Sequence, residues 1–239
     1  MIESVNNDRI KEIAKLRMPK YQDKRGLFLV ESKHLVDEAK SAGLLQEVFI
    51  KDGYDYEFEN KTYISEKVIN KLTSLDNAPK IIGVVKKLPK KEIDGKVLIL
   101  DRIQNPGNMG TILRSALSFN VKNIIVSTDS VSIYNEKVIQ SSAGAIFYLN
   151  IIEADITSEI EKLKNLGYII YTTDVDGGAS LKSISFKEKS AIIMGNEGSG
   201  VKDDIKALAD EKLYIDINKE MESLNVAIAT SIILYELDK

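Results

Sequence analysis

The strongest constraint on the fold is the alternation of short apolar runs with mixed polar and apolar segments in the second half of the chain. Runs such as 97–100, 123–126 and 191–194 are continuously apolar rather than alternating apolar with polar residues. Strands of that kind are buried on both faces, and strands separated by helices form parallel sheets. The pattern therefore predicts an α/β domain with a parallel sheet between two layers of helices.

The first half of the chain predicts a smaller α/β unit, with short strands near 28–30, 48–50 and 81–85. Residues 86–91 then break the pattern with four lysines and a proline, which indicates a linker. We therefore expect two domains, residues 1–88 and 89–239. Other expected elements are helices at 108–119, 135–141 and 223–237, an extended segment at 146–152, and a strand at 213–217.

Charge is distributed unevenly between these halves. Residues 1–90 carry 17 basic and 14 acidic side chains, whereas residues 91–239 carry 16 and 22. Eight of the basic residues, from Arg9 to Lys33, lie in the first 35 positions. A basic module joined to an acidic domain is typical of proteins that bind polyanions, although a solvated helix face explains the same charges equally well.

Composition excludes several classes of chemistry. The 239 residues include no cysteine and one histidine, His34, to which we assign no catalytic role. Disulfides, thiolate nucleophiles and Cys/His zinc sites are therefore ruled out, and we expect no metal. No apolar run is long enough to span a bilayer, and the N-terminus does not resemble a signal peptide. We expect a cytoplasmic protein.

The first of three candidate site loops follows the strand at 97–100 and opens a helix. It contains Asn105-Pro-Gly-Asn-Met-Gly, with Arg114 further along the helix. In open α/β sheets, ligands bind beyond the carboxyl ends of strands. The plain alternative is an ordinary turn in which Asn108 caps the helix.

The second loop, Gly195-Asn-Glu-Gly-Ser-Gly, places three glycines in six residues after a buried strand. Such a loop favours contact between backbone and ligand. Its Glu197 is either a site acid or a cap for the next helix. The third loop, Glu222-Ser-Leu-Asn-Val, precedes an almost wholly apolar helix. Ser223 is a candidate cap for that helix, and Asn225 needs polar partners if it is buried.

In this order, the three loops resemble the motifs of the SpoU (TrmH-like) RNA ribose 2′-O-methyltransferases of the SPOUT superfamily. The resemblance covers residues 97–239 and includes Ser142-Ala-Gly-Ala-Ile. It implies a parallel sheet with a trefoil knot and a homodimer formed through the C-terminal domain. The sequence around Phe28-Leu-Val-Glu-Ser resembles that of the ribosomal-protein-like domain that binds RNA in many members of the family.

The resemblance also implies the site residues. S-adenosylmethionine would be bound at Gly195, Ile215 and Leu224, with Thr173 and its neighbour Thr172 as further candidates, and glycine at 195 would leave room for it. Arg114 matches the family's catalytic arginine, and a second group matches the polar residues that line the site: Asn105, Glu197, Ser223 and Asn225.

Methyl transfer to a ribose oxygen agrees with a chain that has no cysteine. Methylation of pyrimidine C5 usually needs a cysteine nucleophile, whereas transfer from a sulfonium to oxygen needs only positioning, a proton acceptor and local electrostatics. The pKa of an arginine stays above about 12, so we favour Arg114 as a phosphate ligand and charge stabiliser. Proton abstraction by Arg114 stays open.

Three departures from the family pattern bear on the RNA target: Gln140 stands where many relatives have arginine, and Asp216 and Lys219 where they carry proline and glycine. Ribosomal RNA is the favoured substrate. The alternatives are a transfer RNA 2′-O-methyltransferase, a non-catalytic RNA-binding or ribosome-assembly protein, and an enzyme that methylates a base.

Overall fold

The computed structural model describes residues 1–175 and 177–238. Its strands, in chain order, are β1 (Leu27–Glu31), β2 (Leu45–Lys51), β3 (Lys61–Ile64), β4 (Ile81–Lys86), β5 (Val97–Leu100), β6 (Asn123–Ser127), β7 (Asn150–Ala154), β8 (Ile169–Thr173), β9 (Ala179–Ser180), β10 (Ser190–Met194) and β11 (Glu211–Tyr214). The helices are α1 (Asp8–Ala14), α2 (Pro19–Arg25), α3 (Lys33–Ser41), α4 (Glu66–Leu72), α5 (Pro106–Ser118), α6 (Glu136–Ser141), α7 (Ile156–Asn165), α8 (Asp203–Lys206) and α9 (Val226–Leu237).

The chain forms two compact units. The first comprises Met1–Leu88 and Tyr134–Phe147, and the second Pro89–Ile133 and Tyr148–Lys239. The chain therefore passes between the units three times rather than once at a linker. The segment Tyr134–Phe147 belongs to the first unit because its aromatic residues pack there, with the ring of Tyr134 4.9 Å from that of Phe28. The functional division into residues 1–88 and 89–239 stays a prediction.

The first unit is built on a four-stranded sheet in the order β1-β4-β2-β3. Strand β4 pairs antiparallel with β1 and β2, and β3 pairs parallel with β2. Apolar side chains of α1 and α4 cover one face, where Ile10, Phe49 and Ile69 are fully buried. The expected α/β character of this unit is thus confirmed.

Most of the basic side chains near the N-terminus are already paired with acids in this unit. Six of the eight cations from Arg9 to Lys33 have a carboxylate within ion-pair distance, one example being Arg17 with Glu136 at 2.8 Å. In the described part of the chain, only Lys20 and Lys24 of this group lack such a partner. The run of positive charge therefore does not form one unpaired basic surface.

The second unit contains a seven-stranded sheet in the order β7-β6-β5-β10-β8-β11-β9, in which every pair is parallel. This confirms the parallel α/β sheet expected from the apolar runs. Met194 aligns with Leu100, Ile193 with Thr172, and Leu213 with Thr173. The register therefore brings the carboxyl ends of β5, β10, β8 and β11 together at one edge, where the three candidate loops begin. The trefoil knot stays a prediction.

Helices α5 and α9 pack side by side and parallel in this unit. Asn225 Nδ2 donates to Asn108 Oδ1 near their N-termini, Ser115 Oγ lies 2.7 Å from Ser231 Oγ midway, and Asn120 bonds Asp238 at the far end. The sequence predicts that α9 is buried all round, which is wrong. Its residues Ile228, Ile232 and Tyr235 are 55%, 37% and 55% exposed and form an apolar stripe.

One further element differs from expectation. Residues 146–152 are not extended throughout, because a 3-10 turn at Ala145–Tyr148 precedes β7. No helix within residues 1–175 and 177–238 is long and apolar enough to cross a membrane.

Candidate active site

A cavity of about 420 Å³ lies at the carboxyl ends of β8, β10 and β11. Of the five residues predicted to bind the cofactor, four line it: Thr173, Gly195, Ile215 and Leu224. Thr172 is buried in β8 and does not line the cavity. Glu197 and Ser223, predicted as catalytic, also line it. The structure thus brings together residues that lie up to 51 positions apart in the sequence because the parallel register places their loops at one sheet edge.

The second loop folds tightly back on itself beside this cavity. The backbones of Asn196 and Gly200 exchange two hydrogen bonds of 3.0 Å, and Asn196 Oδ1 accepts from the backbone N–H of Gly198 and Ser199. A Cβ on Gly195 would lie 2.1 Å from Val201 N. Glycine at 195 is therefore required by the close approach of the loop's own backbone, before any ligand is considered.

The first loop ends two residues earlier than the sequence indicates. Helix α5 begins at Pro106 and is capped by Asn105, whose Oδ1 accepts from the N–H groups of Gly107 at 2.8 Å and Asn108 at 3.2 Å. The expected start at residue 108 is wrong, because proline suits the first helical position and asparagine the cap. The Asn105 side chain is therefore engaged within its own loop.

Asn108 connects all three loops, a role that sequence reasoning missed. Its Nδ2 donates to Glu197 Oε1 at 3.2 Å, and its Oδ1 accepts from Asn225 Nδ2 at 3.1 Å. The sequence suggests only a capping role for Asn108. The position of Asn108 within the Asn105–Gly110 motif is the sequence feature that points to a role in the site. Only the tertiary structure shows that Asn108, and not Asn105, faces the other loops with its side chain.

The Glu197 carboxylate is saturated with hydrogen bonds. Besides Asn108, it accepts from the backbone N–H groups of Asn105 at 2.9 Å and Gln104 at 3.2 Å. Burial raises the pKa of this carboxyl, but these hydrogen bonds favour the ionised form and hold the pKa below its ordinary value. Glu197 is therefore a carboxylate that joins two loops rather than a cap for the following helix, since α8 begins only at Asp203.

The third loop also differs from expectation at its junction with α9. The helix begins at Val226 and its cap is Asn225, whose Oδ1 accepts from Ala227 N at 2.9 Å. Ser223 is not the cap; it is exposed and lines the cavity. Strand β11 ends at Tyr214 rather than at 217, so Ile215 lies just beyond the strand.

Arg114 stands apart from this network. It is exposed on α5 and makes no hydrogen bond or ion pair through its guanidinium with residues 1–175 or 177–238. Six residues separate it from Asn108, which corresponds to about 9 Å along the helix axis. Within one chain, the structure therefore joins Asn105, Asn108, Glu197 and Asn225 but leaves Arg114 free to contact a ligand or another molecule.

The remaining cavity walls combine apolar and charged groups. Asp174 lies at 3.0 Å from both Lys206 and Lys212. Burial raises the pKa of Asp174, but the two lysines lower it below its ordinary value. Thr173 Oγ1 donates to Ile193 O at 2.9 Å, so this hydroxyl already has a partner in the sheet. The described residues hold no cluster of His, Asp and Glu that could bind a metal ion.

Comparison with known proteins identifies both parts of the chain. Residues 95–235 match the SpoU rRNA Methylase family, and residues 7–83 match the MRM3-like substrate binding domain. A curated relative, the 23S rRNA (guanosine(2553)-2′-O)-methyltransferase RlmP of Bacillus subtilis, is 33% identical over 99% of this chain and 98% of its own length.

Solved structures agree with the sequence matches. An rRNA methyltransferase from Sinorhizobium meliloti superposes with a TM-score of 0.88 at 25% identity, over 99% of this chain and 96% of that chain. An AdoMet-bound form of an rRNA methyltransferase from the same organism shares the fold, with a TM-score of 0.86, 23% identity and the same coverage. The family match covers more than half of the chain, and the chain belongs to the SpoU rRNA methylase family.

Proposed function

We propose that this protein transfers a methyl group from S-adenosylmethionine to a ribose 2′-OH of ribosomal RNA, with a guanosine as the expected nucleotide. The observation that carries the proposal is the cavity at the sheet edge, which adjoins the Asn108–Glu197–Asn225 network. Family membership supports the reaction, and the full-length similarity to RlmP supports the RNA class and the nucleotide.

The cavity fits the proposed cofactor. Its volume falls within the roughly 300–1,000 Å³ of small-molecule sites. Ile215 and Leu224 offer an apolar surface for an adenine ring, and Gly195 and Gly198 line the cavity without side chains that would fill it. The carboxylate of Glu222 lines the same cavity and has no ion pair among the described residues, so it can face a positive charge.

The mechanism follows from the positions of the charged groups. When bound, S-adenosylmethionine supplies an electrophilic methyl group. Arg114 would bind the target phosphate and stabilise the charge that develops on the 2′-oxygen, while the proton passes to water at the exposed site. The Glu197 carboxylate keeps its hydrogen bonds and acts as a positioning group, because its lowered pKa makes it a weak proton acceptor.

The first unit would bind the RNA. Residues 7–83 carry the match to the MRM3-like substrate binding domain. Lys20, Lys24, Lys67 and Lys71 are exposed there without ion pairs in the described chain, so they are available to phosphates. We also place the protein in the cytoplasm, where ribosomal RNA is accessible.

We further propose that two copies associate through α9. The stripe of Ile228, Ile232 and Tyr235 exposes apolar side chains on a helix whose other face is buried. Helix α5, which carries Arg114, packs beside α9 through Ser115 and Ser231. A second copy seated on the stripe would therefore also lie beside Arg114 and could complete the site.

Substituting glutamate for Ile232 tests this dimer. We expect the wild type to be a dimer and Ile232→Glu to be a monomer at micromolar concentration, because a carboxylate would have to be buried in an apolar interface. Light scattering coupled to size-exclusion chromatography measures the masses. Leu166→Glu is the matched control, since Leu166 is an apolar residue of the same unit that is 55% exposed. Equal masses for wild type and Ile232→Glu would contradict the proposal.

The proposed activity is tested with purified protein, S-adenosylmethionine, and unmodified 23S ribosomal RNA or transfer RNA. Mass spectrometry of the digested RNA is expected to find new 2′-O-methylguanosine in the ribosomal RNA only. A methylated base would contradict the reaction, and methylation confined to transfer RNA would contradict the substrate. Binding of cofactor and RNA without methylation would favour a non-catalytic RNA-binding protein.

A further inference from the structure

The pair Asp101 and Arg102 begins the first loop and contacts the second loop but does not line the cavity. Asp101 directly follows β5 and is only 2% exposed. The Arg102 guanidinium forms a two-pronged contact with this carboxylate, with Nε 3.1 Å from Oδ1 and Nη2 2.9 Å from Oδ2. The two side chains thus form a paired unit whose charges nearly cancel.

Arg102 and Asp101 hold the second loop at four points. Arg102 Nη1 donates to Ser199 Oγ at 3.1 Å, and Nη2 donates to Gly200 O at 3.0 Å. Asn196 Nδ2 donates to Arg102 O at 2.8 Å, and Lys202 N donates to Asp101 Oδ2 at 3.0 Å. These contacts fix residues 196–202 at both ends and in the middle. Most residues of this segment line the cavity.

The backbone at Arg102 shows that this arrangement costs free energy. Its φ is 55°, in the left-handed region that a non-glycine residue rarely adopts. Glycine would take this conformation more easily, but it could make none of the side-chain contacts to the second loop. Strained residues of this kind persist where their surroundings hold them, often beside functional sites.

From these contacts, and resting on the proposed function, we infer that Arg102 is a positioning residue that sets the cavity-lining loop 196–202 in the shape that binds S-adenosylmethionine. It acts through Ser199 and Gly200 and does not touch the ligand. Its loss should weaken cofactor binding far more than methyl transfer, because Arg114 lies outside loop 196–202. Glu197, the member of the Asn108 network inside that loop, is also held by the backbone N–H groups of Gln104 and Asn105.

The decisive variant is Arg102→Gly, studied in the full-length protein. We expect the Kd for S-adenosylmethionine, measured by calorimetry, to rise by about tenfold or more, the factor associated with a charge-assisted hydrogen bond. The KM for the cofactor should rise in parallel, while kcat at saturating cofactor stays within about twofold. The Tm should fall, because the buried Asp101 carboxylate loses its guanidinium partner and the relief of the backbone by glycine offsets only part of that cost. The split between KM and kcat, rather than the Tm, therefore reports the positioning role.

Asn120→Gly is the matched control. Asn120 also has a positive φ, 57°, and its side chain also bonds a distant residue, Asp238, but it lies far along α5 from the cavity. This variant should leave the Kd for the cofactor unchanged. Ser199→Ala should raise the Kd for S-adenosylmethionine by part of the increase seen in Arg102→Gly. The double variant should have a Kd no higher than that of Arg102→Gly alone.

Two outcomes overturn the inference. One is a Kd within twofold of wild type for Arg102→Gly. The other is a fall in Tm and kcat with an unchanged KM, which would mean a purely structural role. If the wild type itself does not bind S-adenosylmethionine, the proposed function fails, and the positioning role fails with it; if it binds and Arg102→Gly binds equally well, only the positioning role fails.

Discussion

Arg114→Ala is expected to reduce ribose methylation by a factor on the order of 10²–10³ while leaving the Kd for S-adenosylmethionine within about twofold of wild type. The cavity and its loops are complete without this side chain, because the guanidinium contacts no described residue. Its removal therefore deletes charge stabilisation in the transition state but no part of the cofactor site. Stability should also be unchanged, since Arg114 is exposed and unpaired.

Single-turnover methylation of ribosomal RNA and calorimetric cofactor binding measure the two quantities separately. Arg114→Lys should recover only part of the rate, because lysine keeps the charge but lacks the planar fork that binds phosphate. Lys122→Ala, which removes another exposed cation of the same unit, is the control and should methylate normally. A normal rate for Arg114→Ala would refute the assigned role, and a large loss of cofactor binding would place Arg114 in the cofactor site instead.

The predictable part of the fold is the part encoded by continuous apolar runs. The central strands β5, β6 and β10 could be predicted because they are buried on both faces, which leaves a continuous apolar run in the sequence. Helix α2 and strand β3 were missed, because Pro19–Arg25 is almost wholly polar and Lys61–Ile64 has only four residues. Their place in the first unit depends on tertiary contacts, which no local pattern reports.

The site could be predicted to the level of loops but not of atoms. The resemblance to the family implied the six predicted residues that line the cavity. It did not distinguish Asn105, which caps α5, from Asn108, which bridges Glu197 and Asn225, because both lie in one motif. The sequence also could not reveal the role of Arg102. Its positive φ and its hydrogen bonds to a loop about 95 residues away arise only in the folded chain.

The second large effect is expected for Gly195→Ala, which adds a single methyl group at the base of the second loop. The new Cβ would lie 2.1 Å from Val201 N and 2.2 Å from the carbonyl carbon of Gly200. Both atoms belong to the backbone and cannot rotate away as a side chain would. The loop must therefore shift, which breaks the paired hydrogen bonds between Asn196 and Gly200 and deforms the cavity.

Overpacking of this kind lowers the free energy of unfolding by about 1–3 kcal/mol or more. Thermal unfolding of Gly195→Ala should therefore begin several degrees below that of the wild type. The Kd for S-adenosylmethionine should rise by well over tenfold, because the displaced backbone forms one wall of the cavity.

Gly198→Ala is the matched control for stability, because the nearest atom to its added Cβ is Asn196 Oδ1 at 3.7 Å, an ordinary contact. Calorimetric unfolding should therefore separate two alanine variants only three positions apart in one loop. If Gly195→Ala unfolds like Gly198→Ala and binds the cofactor normally, the close backbone approach does not set the shape of this site. If Gly195→Ala alone is destabilised, glycine at 195 is explained by the loop itself, and its effect on the cofactor follows from that geometry.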